Sequence, residues 1–269
     1  MPHDPILCNR NIRVKACRYG PMMYLVNDQY IGQSLDRYGE FSQGEMELMA
    51  QILLPGQWAI DVGANIGVHT VFLAQTVGPA GVVFAFEPQR VLYQILCGNV
   101  ALNALGNVLA HHAGVGSQTG TIQVPPVNYD LFANFGGVSI GGSIPGPSVP
   151  LMTIDQLNLR ACHFIKIDVE GMESEVIAGA TQTINRFRPT LYVENDRAEK
   201  SQTLIEQLLK LDYRLYGHFP PMYSPRNFFA EPEDIFPRIV SANMLCIHKA
   251  FNQNISGLPE ITSPTDSWR

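Results

Sequence analysis

The stretch that most constrains this chain is Ala59-Ile60-Asp61-Val62-Gly63-Ala64-Asn65-Ile66-Gly67, followed by Val82-Val83-Phe84-Ala85-Phe86-Glu87-Pro88. The first is an apolar run that breaks into a glycine turn. The second is another apolar run, closed by an acid. Short continuous apolar runs suit strands buried on both faces of a sheet. An acid closing a strand about twenty residues after a glycine-rich strand–helix turn is how open α/β sheets hold the ribose of a nucleoside. The pair therefore points to an α/β enzyme that uses a nucleoside cofactor.

The rest of the chain repeats the same rhythm. Strands are expected at 58–62, 82–86, 108–113, 163–168, 190–194, 213–216 and 243–248. Helices are expected at 67–76, 89–104, 172–185 and 200–210. Strands alternating with helices imply a doubly wound, mostly parallel sheet covered on both faces. Residues 1–54 read as an N-terminal extension. Alternation at Ile12, Val14 and Ala16, the run 22–26 and the turn Asn27-Asp28 before Tyr30 and Ile31 predict a β-hairpin or meander. A helix over 42–53 follows, with Ser42 as cap and Glu45 three residues on in the pattern of a capping box. The core domain is expected over 55–250. Insertions at 120–150 and 218–238 break its rhythm, and 251–269 reads as a surface tail. The first insertion holds Pro125-Pro126, Gly136-Gly137 and Gly141-Gly142. Irregular segments of that length inside a domain are usually lids or binding loops, and 125–148 is read as a mobile lid.

Composition excludes several classes. The net charge of −6 and the absence of a cationic run longer than Arg186-Phe187-Arg188 argue against nucleic acid, whose phosphates need clustered Lys and Arg. Only 16% of residues are charged, against roughly a quarter in ordinary domains, which suits a surface partly covered by a second subunit or an apolar substrate. The five cysteines Cys8, Cys17, Cys97, Cys162 and Cys246 are scattered, with no C-x-x-C pair. Neither structural zinc nor a disulfide framework is expected, and a cytoplasmic location fits. No apolar run approaches the roughly eighteen residues of a membrane span, and the first residues do not have the form of a signal peptide.

The chemistry concentrates at the strand ends. Gly63 lets the chain turn after the first strand, and Gly67 allows close approach at the helix start. The segment is not G-x-G-x-x-G, and Asp61 at the strand end would repel a pyrophosphate, so an amino-acid cofactor suits it better than a dinucleotide. Lys166, Asp168 and Glu170 alternate on one side of the strand in Phe164-Ile165-Lys166-Ile167-Asp168-Val169-Glu170. Three charges on one side of a buried strand are costly unless they face a site. Lys166 is a general base if burial lowers its pKa, or else an ion-pair partner that orients the loop. Glu194-Asn195-Asp196 ends the next strand, next to Asp168. Asp168, Glu194 and Asn195 offer oxygen ligands for Mg²⁺, or else hydrogen bonds to a substrate. His69, in the first turn of its helix, is read as a capping or packing residue before a base.

These residues resemble the FkbM family of S-adenosylmethionine-dependent methyltransferases. The matching segments are 61–70, 85–88, 134–139, 164–173, 177–180 and 189–194, in order. The resemblance implies the seven-stranded class I methyltransferase sheet, with the last strand antiparallel. It also implies S-adenosylmethionine as cofactor and a hydroxyl of a sugar or secondary metabolite as the methyl acceptor. Asp61, Gly63, Ala64, Asn65, Gly67, His69 and Thr70 then belong to the cofactor loop, Asp61, Gly63 and Asn65 holding the methionine end. Glu87, with Pro88, would hold the ribose. Ala113 to Val115 would lie near the adenine, with Asp168 beside the cofactor. Lys166, Asp168 and Glu194 are the expected catalytic set. N-methylation on the same scaffold and a non-catalytic cofactor-binding role remain the alternatives.

Overall fold

Alternation along the central strands divides the core in two. Ile60, Val62, Ile165, Ile167, Leu191 and Val193 belong to one apolar cluster. Ala59, Phe164 and Tyr192, at the alternate positions of the same strands, belong to the other. Period-two side-chain direction makes one strand serve both faces of the sheet. The computed structural model describes residues 4–8, 10–140, 145–252 and 254–266. Gly141 and Gly142 of the first insertion and the last three residues of the tail lie outside them.

A small antiparallel sheet opens the chain, with β1 (Leu7–Cys8), β2 (Ile12–Cys17) and β3 (Gly20–Leu25). Two helices follow, α1 (Ile31–Tyr38) and α2 (Gln43–Met49). The alternating core then runs β4 (Trp58–Val62), α3 (Val68–Val77), β5 (Val82–Phe86), α4 (Arg90–Leu102) and β6 (Val108–His111). A three-stranded side sheet comes next, from β7 (Gly114–Val115), β8 (Gly120–Gln123) and β9 (Ser148–Met152). The core resumes with β10 (Phe164–Ile167), α5 (Glu173–Ala178), α6 (Thr181–Phe187), β11 (Thr190–Glu194), α7 (Ala198–Lys210), β12 (Tyr213–His218), β13 (Asn243–His248) and β14 (Glu260–Ile261).

The main sheet has the order β14-β12-β13-β11-β10-β4-β5-β6. From β11 through β10, β4 and β5 to β6 every pairing is parallel, and β13 lies antiparallel between β11 and β12. The expected seven strands and the antiparallel last strand are therefore present. An eighth, edge strand is added because Ile261 of the tail pairs with Leu215 and is buried. Helices α5 to α7 bury their apolar sides on one face; α1 to α4 and the small sheet cover the other.

Other expectations shift for local reasons. Tyr30 and Ile31 do not continue the meander. Asp28 accepts the backbone N–H groups of Tyr30 and Gly32, and this turn launches α1. Ser42 is not a side-chain cap, because its backbone is left-handed (φ 48°) and its hydroxyl makes no bond to the helix start. The single helix over 172–185 is two, α5 ending at Gly179 and α6 starting after Ala180. The first insertion is anchored rather than loose around residue 133. Ala133 pairs with Asp28, whose carboxylate also accepts the Phe135 N–H, and the Gln89 amide donates to the Phe135 carbonyl. The second insertion folds onto the extension. The Tyr38 hydroxyl accepts the Ile235 N–H and donates to the Glu233 carbonyl, while Glu40 takes Arg18 and the Phe228 N–H. Extension and insertions thus roof the carboxyl ends of the parallel strands.

Candidate active site

Strand register brings the first charges together. Lys166 on β10 pairs directly with Asp61 on β4 and with Tyr192 on β11. The three side chains therefore share the face covered by α1 to α4. Lys166 Nζ lies 3.8 Å from Asp61 Oδ1 and 3.0 Å from Asp168 Oδ2. Asp61 is fully buried and accepts the Thr70 hydroxyl at 2.6 Å. Burial alone would lower the Lys166 ammonium, but the charges of Asp168, Asp61 and Glu45 outweigh it and hold it well above its ordinary range. These neighbours favour the charged ammonium, opposite to the shift that a base at Lys166 needs.

The glycine loop follows directly from β4. Gly63 has φ 79°, and a Cβ there would lie 1.7 Å from the Asp168 carbonyl oxygen, so only glycine lets the two loops pass. Gly67 caps α3 in the left-handed region. Between them the Asn65 N–H points to Glu87, which ends β5. Glu87 Oε2 accepts the Asn65 N–H at 2.9 Å, and Oε1 accepts the Gln89 N–H at 2.7 Å. Burial pushes the Glu87 carboxyl up to about 7, against those two bonds and with the help of the Asp61 and Asp168 charges.

These groups open into one cavity at the carboxyl ends of the strands. One side is made by Gly63, Ala64, Asn65, Glu87, Pro88, Ala113 and Val115. The other carries Lys166, Asp168, Glu170, Glu194 and Asp196, with Glu45 and His69 beside them. Met222 of the second insertion and Val240 and Ser241 just before β13 close it, and Asn134, Gly136 and Gly137 of the first insertion line the side of the glycine loop. Among the expected site residues, Asp61, Gly67, Thr70 and Asn195 stand behind the wall rather than in it. Asp61 and Thr70 support the loop from below.

The acid wall is strained electrostatically. One ligand atom each from Asp168, Glu170 and Glu194 lies within 4.8 Å of the others. Burial and the charges of Asp168, Glu170 and Asp196 drive the Glu194 carboxyl well above its ordinary range, and its Oε2 is buried without a hydrogen bond. Burial and Asp168 push Glu170 up to about 7, although it pairs with Arg197. Glu170 joins Asp168 and Glu194 in this acid group. Asn195 is buried beside the Met244 sulfur.

Sequence reasoning missed Glu45 as a site residue. It is buried, and its Oε2 lies 3.2 Å from His69 Nε2. Burial would raise its carboxyl, but His69, Lys166 and the Ser241 hydroxyl hold it at about 2. The S-x-x-E spacing that suggested a cap was the only local signal it carried.

The donor set fits a nucleoside bearing an amino-acid chain. Each Glu87 oxygen is fixed by one N–H and keeps a lone pair for a ribose hydroxyl. Asp61 Oδ1 is buried without a hydrogen bond beneath the loop. The methyltransferase FkbM domain family matches residues 61–215 of the 269. The chain belongs to this family. Methyltransferase sdnD of Sordaria araneosa is 27% identical over 190 residues, 56% of this chain and 71% of that protein. Hexuronic acid methyltransferase AglP of Haloferax volcanii is 29% identical over 160 residues, 56% of this chain and 63% of that protein. The solved methyltransferase FkbM of Methylobacillus flagellatus is 19% identical, with a TM-score of 0.48 over 81% of this chain and 55% of that one. No helix among the described residues of this FkbM-family chain is long and apolar enough to cross a membrane.

Proposed function

We propose that this protein transfers the methyl group of S-adenosylmethionine to a hydroxyl of a sugar or secondary metabolite. The observation that carries this reading is Glu87, fixed by two N–H groups at the end of β5 and opening into the same cavity as Asp168 and Glu194. S-adenosylmethionine supplies an electrophilic methyl on a sulfonium. The protein's part is to align the acceptor with that methyl and take up one proton. Glu87 holds the ribose. The loop Gly63–Asn65, braced by Asp61 and Thr70, takes the methionine end, while Ala113 and Val115 flank the base. Lys166 stays charged and positions Asp168.

The acceptor half supports a polyhydroxylated molecule, because carboxylates accept hydroxyl hydrogen bonds strongly. The same wall disfavours a carboxylated acceptor. The Haloferax relative is named for hexuronic acid, whereas adding a further carboxylate beside Asp168, whose charge already drives up Glu170 and Glu194, is unfavourable here. A second reading, N-methylation of an amine, draws on the same acid wall, which attracts an ammonium. If a divalent ion takes part, Asp168, Glu170 and Glu194 are the residues that would hold it and polarise the acceptor hydroxyl.

The test is label transfer from methyl-labelled S-adenosylmethionine to panels of neutral glycosides, hexuronides and amines, with and without chelator. Label in an O-methyl ether of a neutral glycoside is the expected outcome, and loss with chelator would assign a role to the metal. Label confined to amines would replace the reading with its alternative. No transfer together with no S-adenosylhomocysteine binding would remove it.

A further inference from the structure

We propose that His69, oriented by Glu45, is the general base that removes the acceptor's proton. The inference rests on the methyltransferase reading above and gives His69, which the resemblance grouped with the cofactor loop, a different role. Both side chains are buried, Glu45 4% and His69 7% exposed, and both line the cavity. They come from different units, Glu45 from α2 of the extension and His69 from the first turn of α3, two residues beyond Gly67. Their approach to 3.2 Å is a tertiary contact with no local cause.

Three observations separate this pair from ordinary packing. First, Glu45 is not spent on capping its own helix. Ser42 sits at φ 48°, an uncommon conformation for a residue with a side chain, and this aims the start of α2 into the cavity. Second, Glu45 is a dedicated anion. Lys166 and the Ser241 hydroxyl, with His69, favour its ionised form against its burial. Third, the obvious rival is occupied. Lys166 Nζ is already engaged, 3.0 Å from Asp168 Oδ2 and 3.8 Å from Asp61 Oδ1.

A carboxylate on one imidazole nitrogen selects the tautomer and makes the other nitrogen more basic, the logic of base-and-orienter pairs. Nε2 lies 3.2 Å from Glu45 Oε2, and Nδ1 is the nitrogen assigned to the acceptor's proton. The Nε2–H is not yet aimed squarely at the oxygen, and such bonds often tighten only when substrate is bound. The Phe41 ring stands edge-on to the imidazole at 6.1 Å and limits its swing. In the step itself the acceptor O–H bond breaks as its proton passes to Nδ1. The oxygen forms a bond to the methyl carbon, and the carbon–sulfur bond breaks with its electron pair going to sulfur. S-adenosylhomocysteine leaves as a neutral thioether, and the new imidazolium is stabilised by Glu45. His69 is then the catalytic residue and Glu45 a positioning residue.

Protein labelled with ¹⁵N-histidine, saturated with S-adenosylhomocysteine, tests this without knowledge of the acceptor. The charged groups around the pair are Glu45 on α2, Asp61 on β4, Lys166 on β10, and Asp168 beyond the end of β10; Tyr192 on β11 and His218 on β12 add titratable groups on the same side. In its neutral form the His69 ring should carry its proton on Nε2. Glu45→Gln should lower its titration midpoint by about one unit or more, since an adjacent carboxylate favours the imidazolium. His69→Gln should bind S-adenosylhomocysteine within threefold of wild type and retain the wild-type melting profile, while transfer to a neutral glycoside accepted by the wild type falls at least 100-fold. The proposal is overturned by an Nδ1–H tautomer, by a midpoint indifferent to Glu45→Gln, or by full transfer in His69→Gln. A tenfold loss of S-adenosylhomocysteine binding in a folded His69→Gln would instead make His69 a cofactor ligand. Wild-type protein that binds no S-adenosylhomocysteine would defeat the underlying reading itself. If His69→Gln misfolds, His69→Asn and the Glu45→Gln titration carry the test.

Discussion

Glu87 gives the sharpest test of the cofactor half, because one carboxylate should respond to pH with opposite signs in two experiments. Its folded pKa is raised from 4.5 to about 7, chiefly by burial. A raised carboxyl pKa means the ionised form is penalised in the empty fold. That penalty is fully present above about pH 7 and is relieved as pH falls from about 7 towards about 4.5. The shift corresponds to about 3 kcal/mol. The ligand should behave the other way. Ribose hydroxyls donate to the carboxylate, so acidification from pH 7 to pH 6 should weaken S-adenosylhomocysteine binding by up to about fivefold. Glu87→Gln removes the charge and forces an amide N–H towards either the Asn65 or the Gln89 N–H. Loss of hydrogen bonds to a charged group costs about 1.5–3 kcal/mol, a Kd raised about 10- to 150-fold at pH 8. Calorimetric titration of wild type and variant between pH 6 and 8.5, with melting curves of the empty proteins, measures both effects. A Kd within twofold of wild type in Glu87→Gln, or wild-type binding that strengthens on acidification, would refute the reasoning.

Lys166→Met should destabilise the fold by about 3–5 kcal/mol in denaturant unfolding, since Asp61, Asp168 and Glu45 lose their shared cation; a cost below about 1 kcal/mol would show that these acids are not held by it. Gly63→Ala meets both a positive φ and the Asp168 carbonyl, and the melting temperature should fall on the order of 10 °C. Asp28→Ala leaves the Tyr30, Gly32 and Phe135 N–H groups without their acceptor. Faster hydrogen exchange around Phe135, with the core unchanged, is the expected readout, and unchanged exchange there would mean the first insertion is held by other contacts. We also expect S-adenosylhomocysteine to slow exchange over the described parts of 125–148, and indifference to ligand would reduce that stretch to a surface loop.

The parallel strands and the glycine loop were legible because their causes are local. Five-residue apolar runs such as Trp58–Val62 and Val82–Phe86 suit central strands, and the glycines after β4 are needed by the turn itself. What sequence could not show arises between distant segments. Lys166 meets Asp61 through a register set by the whole sheet. That contact favours its charged form, opposite to the shift a base needs. Glu45 looked like a cap because S-x-x-E is a local pattern, yet its acid is claimed by His69 from another element. Glu170 was legible as a site-facing acid, but its pairing with Arg197 of a distant segment was not. The edge strand at Glu260–Ile261 has no pattern of its own and is created by the exposed edge of β12.

The most direct measurement of the central claim is a crystal structure of the protein with S-adenosylhomocysteine. The account predicts its ribose hydroxyls on the Glu87 carboxylate, its amino-acid end against Gly63–Asn65, and its sulfur facing the space between His69 and Asp168. Ligand bound elsewhere, or a ribose that leaves Glu87 untouched, would contradict it.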